Sequence, residues 1–355
     1  MRISERGDLP MARIPIGSTG ITVEKTGFGA LPIQRIPTQE AARLARKAFD
    51  NGITYFDTAR MYSDSEEKLG LAFEGVRHQL ILATKTGCRT VEEFWSDLEQ
   101  SLRMLKTDYI DVYQFHNPAF CPLPGDGSGL YEAMLQARQQ GKIRFISITN
   151  HRLDVATQAV ESGRYATLQF PFNYLCTQNE LDLLEKVKQA RMGFICMKGM
   201  SGGLITNARA SAAWMNQFPE VLPIWGVQRE QELDEFLSFI PDPPVLTPEL
   251  QEVIDADRAQ LQGEFCRGCG YCMPCPQGII INQAARISLM IRRAPEQNSL
   301  NEQSRKMMEQ VASCVECYQC ASKCPYGLDT PQLLKRNYRD YQEILAGKPI
   351  EPHNF

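Results

Sequence analysis

The chain has 355 residues, of which 43% are hydrophobic, and carries a formal net charge of −4. That length suits one large domain followed by a smaller one, and a sequence pI of about 5.8 with no block of like charge excludes the electrostatic footprint of a nucleic-acid binder. No apolar run approaches the ~18 residues of a membrane span. Residues 1–17 hold arginines without a continuous apolar stretch, so no signal peptide is expected and the expected compartment is cytoplasmic.

In chain order, residues 12–24 alternate around Gly17 and Gly20, the pattern of a hairpin. The first apolar run, 26–31, precedes a helix with Thr38 at its cap, apolar Ala41, Leu44, Ala45, Ala48 and Phe49, and Gly52 as its stop. Strands follow at 53–57 and 80–86. A capping box at Thr90 and Glu93 then opens a helix with Phe94, Leu98, Leu102 and Leu105 on one face. From there the unit repeats: strand 109–116 with helix 129–140, 143–149 with 153–162, 167–171 with 179–191, 193–198 with 206–217, and 221–226 with 230–240. Strands that are apolar throughout are buried on both faces, so the sheet is parallel. Eight such units close most naturally into a (β/α)8 TIM barrel. A doubly wound sheet is the alternative, but no Gly-x-Gly-x-x-Gly follows the first strand.

In such a barrel the chemistry sits at the C-terminal strand ends. Those ends present Asp57, with Tyr62 in the next loop, then Lys85 and His116, followed by Thr149-Asn150-His151, Gln169 and the run Lys198-Gly199-Met200-Ser201-Gly202-Gly203. An ammonium beside a phenol lowers the phenol's pKa from its ordinary ~10. Lys85 is therefore expected to make Tyr62 a general acid, with Asp57 holding Lys85 charged and His116 donating a hydrogen bond to the oxygen that gains charge. The set suits reduction of a carbonyl or the reverse oxidation of an alcohol. Phe120, Tyr131 and Trp225 are expected to line the mouth.

The motifs Phe56-Asp57-Thr58-Ala59 with Tyr62, Thr84-Lys85-Thr86-Gly87 and Phe115-His116-Asn117-Pro118 resemble those of the aldo-keto reductase superfamily over residues 12–240. The resemblance implies Asp57, Tyr62, Lys85 and His116 as the catalytic tetrad. It also implies NADPH or NADH as cofactor, held by Thr149, Asn150, Gln169, Met197, Lys198, Gly199, Ser201, Gly202, Gly203, Gly226 and Arg229. Met197 stands where many members stack a tyrosine on the nicotinamide. Glu232 and Phe236 replace the arginine and asparagine that grip the adenosine phosphate and adenine, and a glutamate there would repel a 2′-phosphate, with Lys198 and Arg229 to compensate.

Of twelve cysteines, Cys88, Cys121, Cys176 and Cys196 stand alone and read as small buried thiols. The other eight form two runs, Cys266-Cys269-Cys272-Cys275 and Cys314-Cys317-Cys320-Cys324. Without an export signal such runs read as metal ligands. The second run has the bacterial ferredoxin spacing, and the first is one residue shorter before its last ligand. In two-cluster ferredoxins each [4Fe–4S] cube takes three cysteines from one run and the fourth from the other. Cys266, Cys269 and Cys272 would thus join Cys324, and Cys314, Cys317 and Cys320 would join Cys275. Structural zinc is the alternative reading. Helices near 280–293 and 299–312 link the runs, so the module is expected to be a mainly helical, ferredoxin-like domain, and the tail resembles that of an aldo-keto reductase branch with such a domain. The expected organisation is a barrel over 1–263 that includes a trailing helix at 248–262, a two-cluster domain over 264–340 and a tail over 341–355.

The expected function is that of an oxidoreductase of aldo-keto reductase type acting on a small carbonyl compound or alcohol, coupled to iron–sulfur electron transfer and a redox partner protein. No nucleic acid or membrane partner is expected. The alternative is a non-catalytic redox-sensing or electron-transfer subunit that uses the barrel for docking. Hydride carries two electrons together, whereas each cube passes one, and no flavin motif is visible to split the pair.

Overall fold

The computed structural model describes residues 13–261, 265–293 and 296–350. Contacts divide the chain into two compact units. One runs through Gly199 and resumes from Ser211 to Leu246, and the other combines Met200–Ala210 with the chain from Thr247 onward.

The first unit is a closed parallel barrel. Its strands are β3 (Gly27–Gly29), β4 (Tyr55–Asp57), β5 (Ile81–Thr86), β6 (Ile110–His116), β7 (Ile143–Thr149), β8 (Thr167–Pro171), β9 (Gly193–Met197) and β10 (Val221–Gly226), preceded by an antiparallel hairpin of β1 (Arg13–Pro15) and β2 (Thr22–Glu24). Trp225 of β10 stands opposite Phe28 of β3, which completes the ring. The expected hairpin closes the floor, where Ile14, Ile16, Ile21 and Val23 pack with Tyr55, Ala83, Val112, Ile195 and Leu222. Its turn requires Gly17, at φ +51°, because a Cβ there would lie 2.3 Å from the Gly193 nitrogen.

Around the barrel lie α1 (Thr38–Asp50), α2 (Ser65–Ala72), α3 (Val91–Met104), α4 (Leu130–Gln139), α5 (Leu153–Ser162), α6 (Gln178–Gln189), α7 (Ala208–Met215) and α8 (Glu230–Ser238). The capping box that opens α3 is present, with Thr90 Oγ1 accepting from the Glu93 amide at 3.2 Å and Glu93 Oε2 accepting from the Thr90 amide at 3.3 Å. No helix was expected at α2, because its buried face is partly charged. Thr84 donates to the Glu66 carboxylate at 2.7 Å, and Lys68 Nζ donates to the carbonyls of Ile33 and Ile36 at 3.1 and 2.9 Å.

The second unit holds α9 (Pro248–Gln260), α10 (Ile281–Ala284), α11 (Ile287–Arg293), α12 (Glu302–Glu309), α13 (Gln319–Ser322) and α14 (Thr330–Leu345). Its core includes Ile279, Ile281, Ile287, Ile291, Met308, Val311, Leu333, Leu334, Tyr341 and Ile344. Arg292 grips Asp340 through two bonds of 2.6 and 2.9 Å and fastens α11 to α14. The helix expected to trail the barrel, α9, groups with this unit, and α14 runs past residue 340. The expected boundary at 263–264 lies outside the described residues. Among the described residues no helix is long and apolar enough to cross a membrane.

Candidate active site

Three consecutive strands bring the expected ionisable groups to one end of the barrel. Asp57 ends β4, Lys85 stands one residue before the end of β5, and His116 ends β6. The loop that carries Tyr62 is pinned by backbone bonds from Thr58 N to Ala83 O at 2.9 Å and from Arg60 N to Lys85 O at 3.0 Å. Asp57 and Lys85 are almost wholly buried. Lys85 Nζ donates to Asp57 Oδ2 at 2.5 Å and to the Thr58 carbonyl at 2.6 Å. Gln114 Nε2 donates to the other Asp57 oxygen at 3.2 Å, and Gln169 also hydrogen-bonds this carboxylate. Sequence reasoning missed Gln114, which is one more polar residue inside an apolar strand until the fold aims it at Asp57. Burial pushes Asp57 up and Lys85 down in pKa, and the partner's charge opposes the shift in each case. The contact therefore opposes the discharge that burial favours in each group.

Tyr62 and His116 meet edge to face, with ring centroids 5.6 Å apart and planes at 82°. Lys85 Nζ lies 5.2 Å from the Tyr62 ring centroid. The expectation that Lys85 lowers the Tyr62 pKa is not met. Burial and the Asp57 charge push the phenol above its ordinary range, because the ammonium is already matched by its own carboxylate. Burial, with Lys85's charge second, lowers His116 to about 3, so its imidazole is neutral at physiological pH. His116 Nδ1, Asn117 Oδ1 and Gln169 Oε1 are buried without a hydrogen-bond partner among the described residues. Buried polar atoms are usually satisfied, so such a cluster around a strand-end mouth fits a site that a ligand completes. Asn117 and Lys198 also hold left-handed backbones, at φ 54° and 59°, which is unusual for residues with a Cβ.

The residues expected to hold a nicotinamide are differently disposed. Thr149 ends β7, and its hydroxyl lies 3.9 Å from Met197 Sδ at the end of β9. Gln169 lies in β8, and Gly226 ends β10. Asn150 Oδ1 accepts from the amides of His151 and Arg152, while its Nδ2 donates to the Pro118 carbonyl at 2.9 Å, so it fastens the loop. Gly199 lies against Trp225, where a Cβ would come within 2.4 Å of the indole. Arg229 caps α8 and pairs with Glu232 at 2.5 Å, while the other Glu232 oxygen accepts from the amides of Gln228 and Arg229 at 3.0 and 3.1 Å. Phe236 stacks on Trp225, at 4.5 Å and 13°. Ser201, Gly202 and Gly203 belong to the second unit. Of the residues expected at the mouth, Phe120 is exposed, whereas Trp225 and Tyr131 are buried, and Tyr131 donates its hydroxyl to the Arg164 carbonyl at 2.6 Å.

In the second unit the eight clustered cysteines line two hollows. One is walled by Cys266, Cys269, Cys272 and Cys324, and the other by Cys275, Cys314, Cys317 and Cys320 with Cys272 at its edge. Each hollow thus takes one of its wall cysteines from the other run. Both runs turn alike. Gly268 and Gly270 of the first have φ +67° and +85°, and Glu316 and Tyr318, at the matching positions of the second, have φ 52° and 58°. Among the described residues no three ligand side chains converge tightly enough for a single ion. Thiols spread around apolar walls fit a larger, all-thiolate group better than one zinc ion.

A model of the aldo/keto reductase family matches residues 25–240, and one of a 4Fe-4S dicluster domain matches residues 265–329. L-Galactose dehydrogenase of Arabidopsis thaliana is 31% identical over 225 residues, covering 58% of this chain and 70% of that protein. Aldo-keto reductase YhdN of Bacillus subtilis (strain 168) is 32% identical over 215 residues, covering 54% and 62% of the two chains. An aldo-keto reductase from Klebsiella pneumoniae, solved in complex with NADPH, aligns with a TM-score of 0.61 at 24% identity, over 70% of this chain and 95% of that one.

Proposed function

We propose, for a chain that belongs to the aldo/keto reductase family and carries a 4Fe-4S dicluster domain, that the barrel reduces a small carbonyl compound and that Tyr62 gives the proton. A bound nicotinamide dinucleotide would supply hydride to the carbonyl carbon. As the carbonyl oxygen becomes an alkoxide it grows more basic than a phenolate, so a phenol held protonated, as Tyr62 is, can deliver its proton to it. Neutral His116 offers the same oxygen an N–H. The buried Lys85–Asp57 pair fixes the cation 5.2 Å from the Tyr62 ring centre, with its charge largely matched by its own carboxylate, so the phenol stays protonated until the alkoxide forms. The observation that carries this reading is the convergence of these four groups beside unpartnered buried polar atoms. A raised phenol pKa also favours reduction over oxidation, since oxidation needs the phenolate.

The two hollows would hold [4Fe–4S] clusters on Cys266, Cys269, Cys272 and Cys324 and on Cys314, Cys317, Cys320 and Cys275, and would supply one-electron transfer. The dinucleotide would be NADPH or NADH, with Glu232 weighing against a 2′-phosphate and Arg229 for it. The Glu232 carboxylate already occupies the amides at the start of α8, and a 2′-phosphate would have to displace it against like charge.

The test is Tyr62→Phe in the full chain, purified anaerobically. Carbonyl reduction is expected to fall by about two to four orders of magnitude, while dinucleotide binding and cluster absorbance stay unchanged. Full activity in Tyr62→Phe would remove Tyr62 as the proton donor. Redox transfer to a partner protein that persists in Tyr62→Phe, with no carbonyl turnover in the wild type, would support the electron-transfer reading instead.

A further inference from the structure

Arg286 sits between α10 and α11, within the second unit, where its guanidinium meets two glycine turns. Its Nη2 donates to the Gly202 carbonyl at 2.8 Å and lies 3.3 Å from Met290 Sδ. Its Nη1 packs so closely on Gly268 that a Cβ there would lie 2.4 Å away. Gly268 is the midpoint of the Cys266–Cys269 turn, and its own amide donates to Cys266 Sγ at 3.3 Å. The guanidinium is thus held against the backbone of one cysteine run, while Nε is buried without a hydrogen-bond partner and no carboxylate pairs with the group among the described residues.

The anchor for this cation is itself built. Ser201, Gly202 and Gly203 are three successive residues at positive φ, 48°, 62° and 91°, a turn that presents the Gly202 carbonyl outward from the loop. A neutral carbonyl orients the charge without cancelling it. Beside the other cysteine run, Lys335 interacts with the Cys314 thiol's charge but is paired with Glu316 at 2.6 Å.

We propose that Arg286 is a tuning residue for the cluster held by Cys266, Cys269, Cys272 and Cys324: its uncompensated positive charge favours the reduced, more negative cluster and raises that cluster's reduction potential, leaving the other cluster untouched. This rests on the two-cluster reading of the second unit. The physical basis is that an Fe–S potential responds to nearby net charge and hydrogen bonds, and that an unmatched unit charge in a partly buried place interacts strongly at short range. No proton is transferred, since a guanidinium stays charged.

The experiment is a redox titration, followed by electron paramagnetic resonance, of the full-length protein purified anaerobically, as wild type, Arg286→Gln and Arg286→Lys. Iron and sulfide are measured first. About eight irons per chain are expected, and fewer in the wild type would overturn the two-cluster reading itself. With the clusters present, Arg286→Gln should lower the equilibrium constant for reducing one cluster about tenfold, a shift of ~59 mV to more negative potential for one electron. The second transition should stay in place, and Arg286→Lys should track the wild type. Unmoved transitions in Arg286→Gln, or equal shifts of both, would overturn the proposal. If Arg286→Gln fails to hold iron, Arg286→Lys decides: an unshifted transition supports the charge and a shift to lower potential refutes it.

Discussion

The lowered pKa of His116 sets up an acid-stability experiment. The ordinary value is 6.5 and the folded value about 3, so between these limits the unfolded chain takes up a proton that the folded chain refuses. Stability therefore rises with pH across that window and falls on acidification. Each pH unit is worth about 1.4 kcal/mol. Going from the ordinary value to about pH 4.5 spans two units, which gives ~2.7 kcal/mol from this group. Asp57 acts in the opposite sense, because a carboxyl with a raised folded pKa keeps its proton in the native state and gains stability as pH falls. The comparison of wild type with His116→Gln removes Asp57 and the equally buried His151 from the difference. Urea unfolding followed by tryptophan fluorescence reports the barrel, since Trp95, Trp214 and Trp225 all lie in the first unit. Between about pH 7 and about pH 4.5 the wild type should lose ~2–3 kcal/mol more than the variant. Parallel losses would refute the reasoning. So would a nuclear magnetic resonance titration, in a chain with four histidines, that found the signal missing from His116→Gln titrating near its ordinary value.

Three further outcomes follow from the same geometry. Lys85→Met strands the Asp57 carboxylate in the barrel and should cost about 3–5 kcal/mol in urea unfolding; adding Asp57→Asn should restore part of it, and an undiminished loss in the double variant would contradict the pairing. Glu232→Ala should improve NADPH binding about tenfold with little change for NADH, measured by titration of dinucleotide fluorescence; an unchanged ratio would show that this carboxylate does not govern the choice. Gly199→Ala pushes a methyl into the Trp225 ring and should cost about 1–3 kcal/mol, with a changed near-ultraviolet circular dichroism signal. An unaltered signal and midpoint would place the indole elsewhere.

What the sequence made legible was periodic or punctuated. The barrel strands were apparent as short apolar runs, and the α3 capping box and the cysteine spacing are local patterns that survive folding unchanged. Helix α2 was not, because its inward face is charged. Glu66 and Lys68 are buried against Arg60, Thr84 and two carbonyls from distant stretches, so no hydrophobic period marks it. Helix α9 carried a clear helical pattern but no sign of which body it would join, since that depends on contacts far along the chain.

The Tyr62 result has the same cause and carries the larger consequence. Residue types alone place a lysine beside a tyrosine and predict an acidified phenol. The structure adds that Asp57 lies closer to Lys85 than Tyr62's ring centre does, at 2.5 Å against 5.2 Å, so the pair acts on the phenol nearly as a dipole and burial decides the direction. A site tuned this way holds its proton until a strongly basic oxygen forms. The rate of carbonyl reduction should therefore stay level from neutral into alkaline pH, while alcohol oxidation should climb with pH because it needs the phenolate. Measuring both directions on one carbonyl–alcohol pair separates the cases. A reduction rate that fell away through neutral pH would mean that Lys85 does acidify Tyr62, and that burial does not set the phenol's pKa.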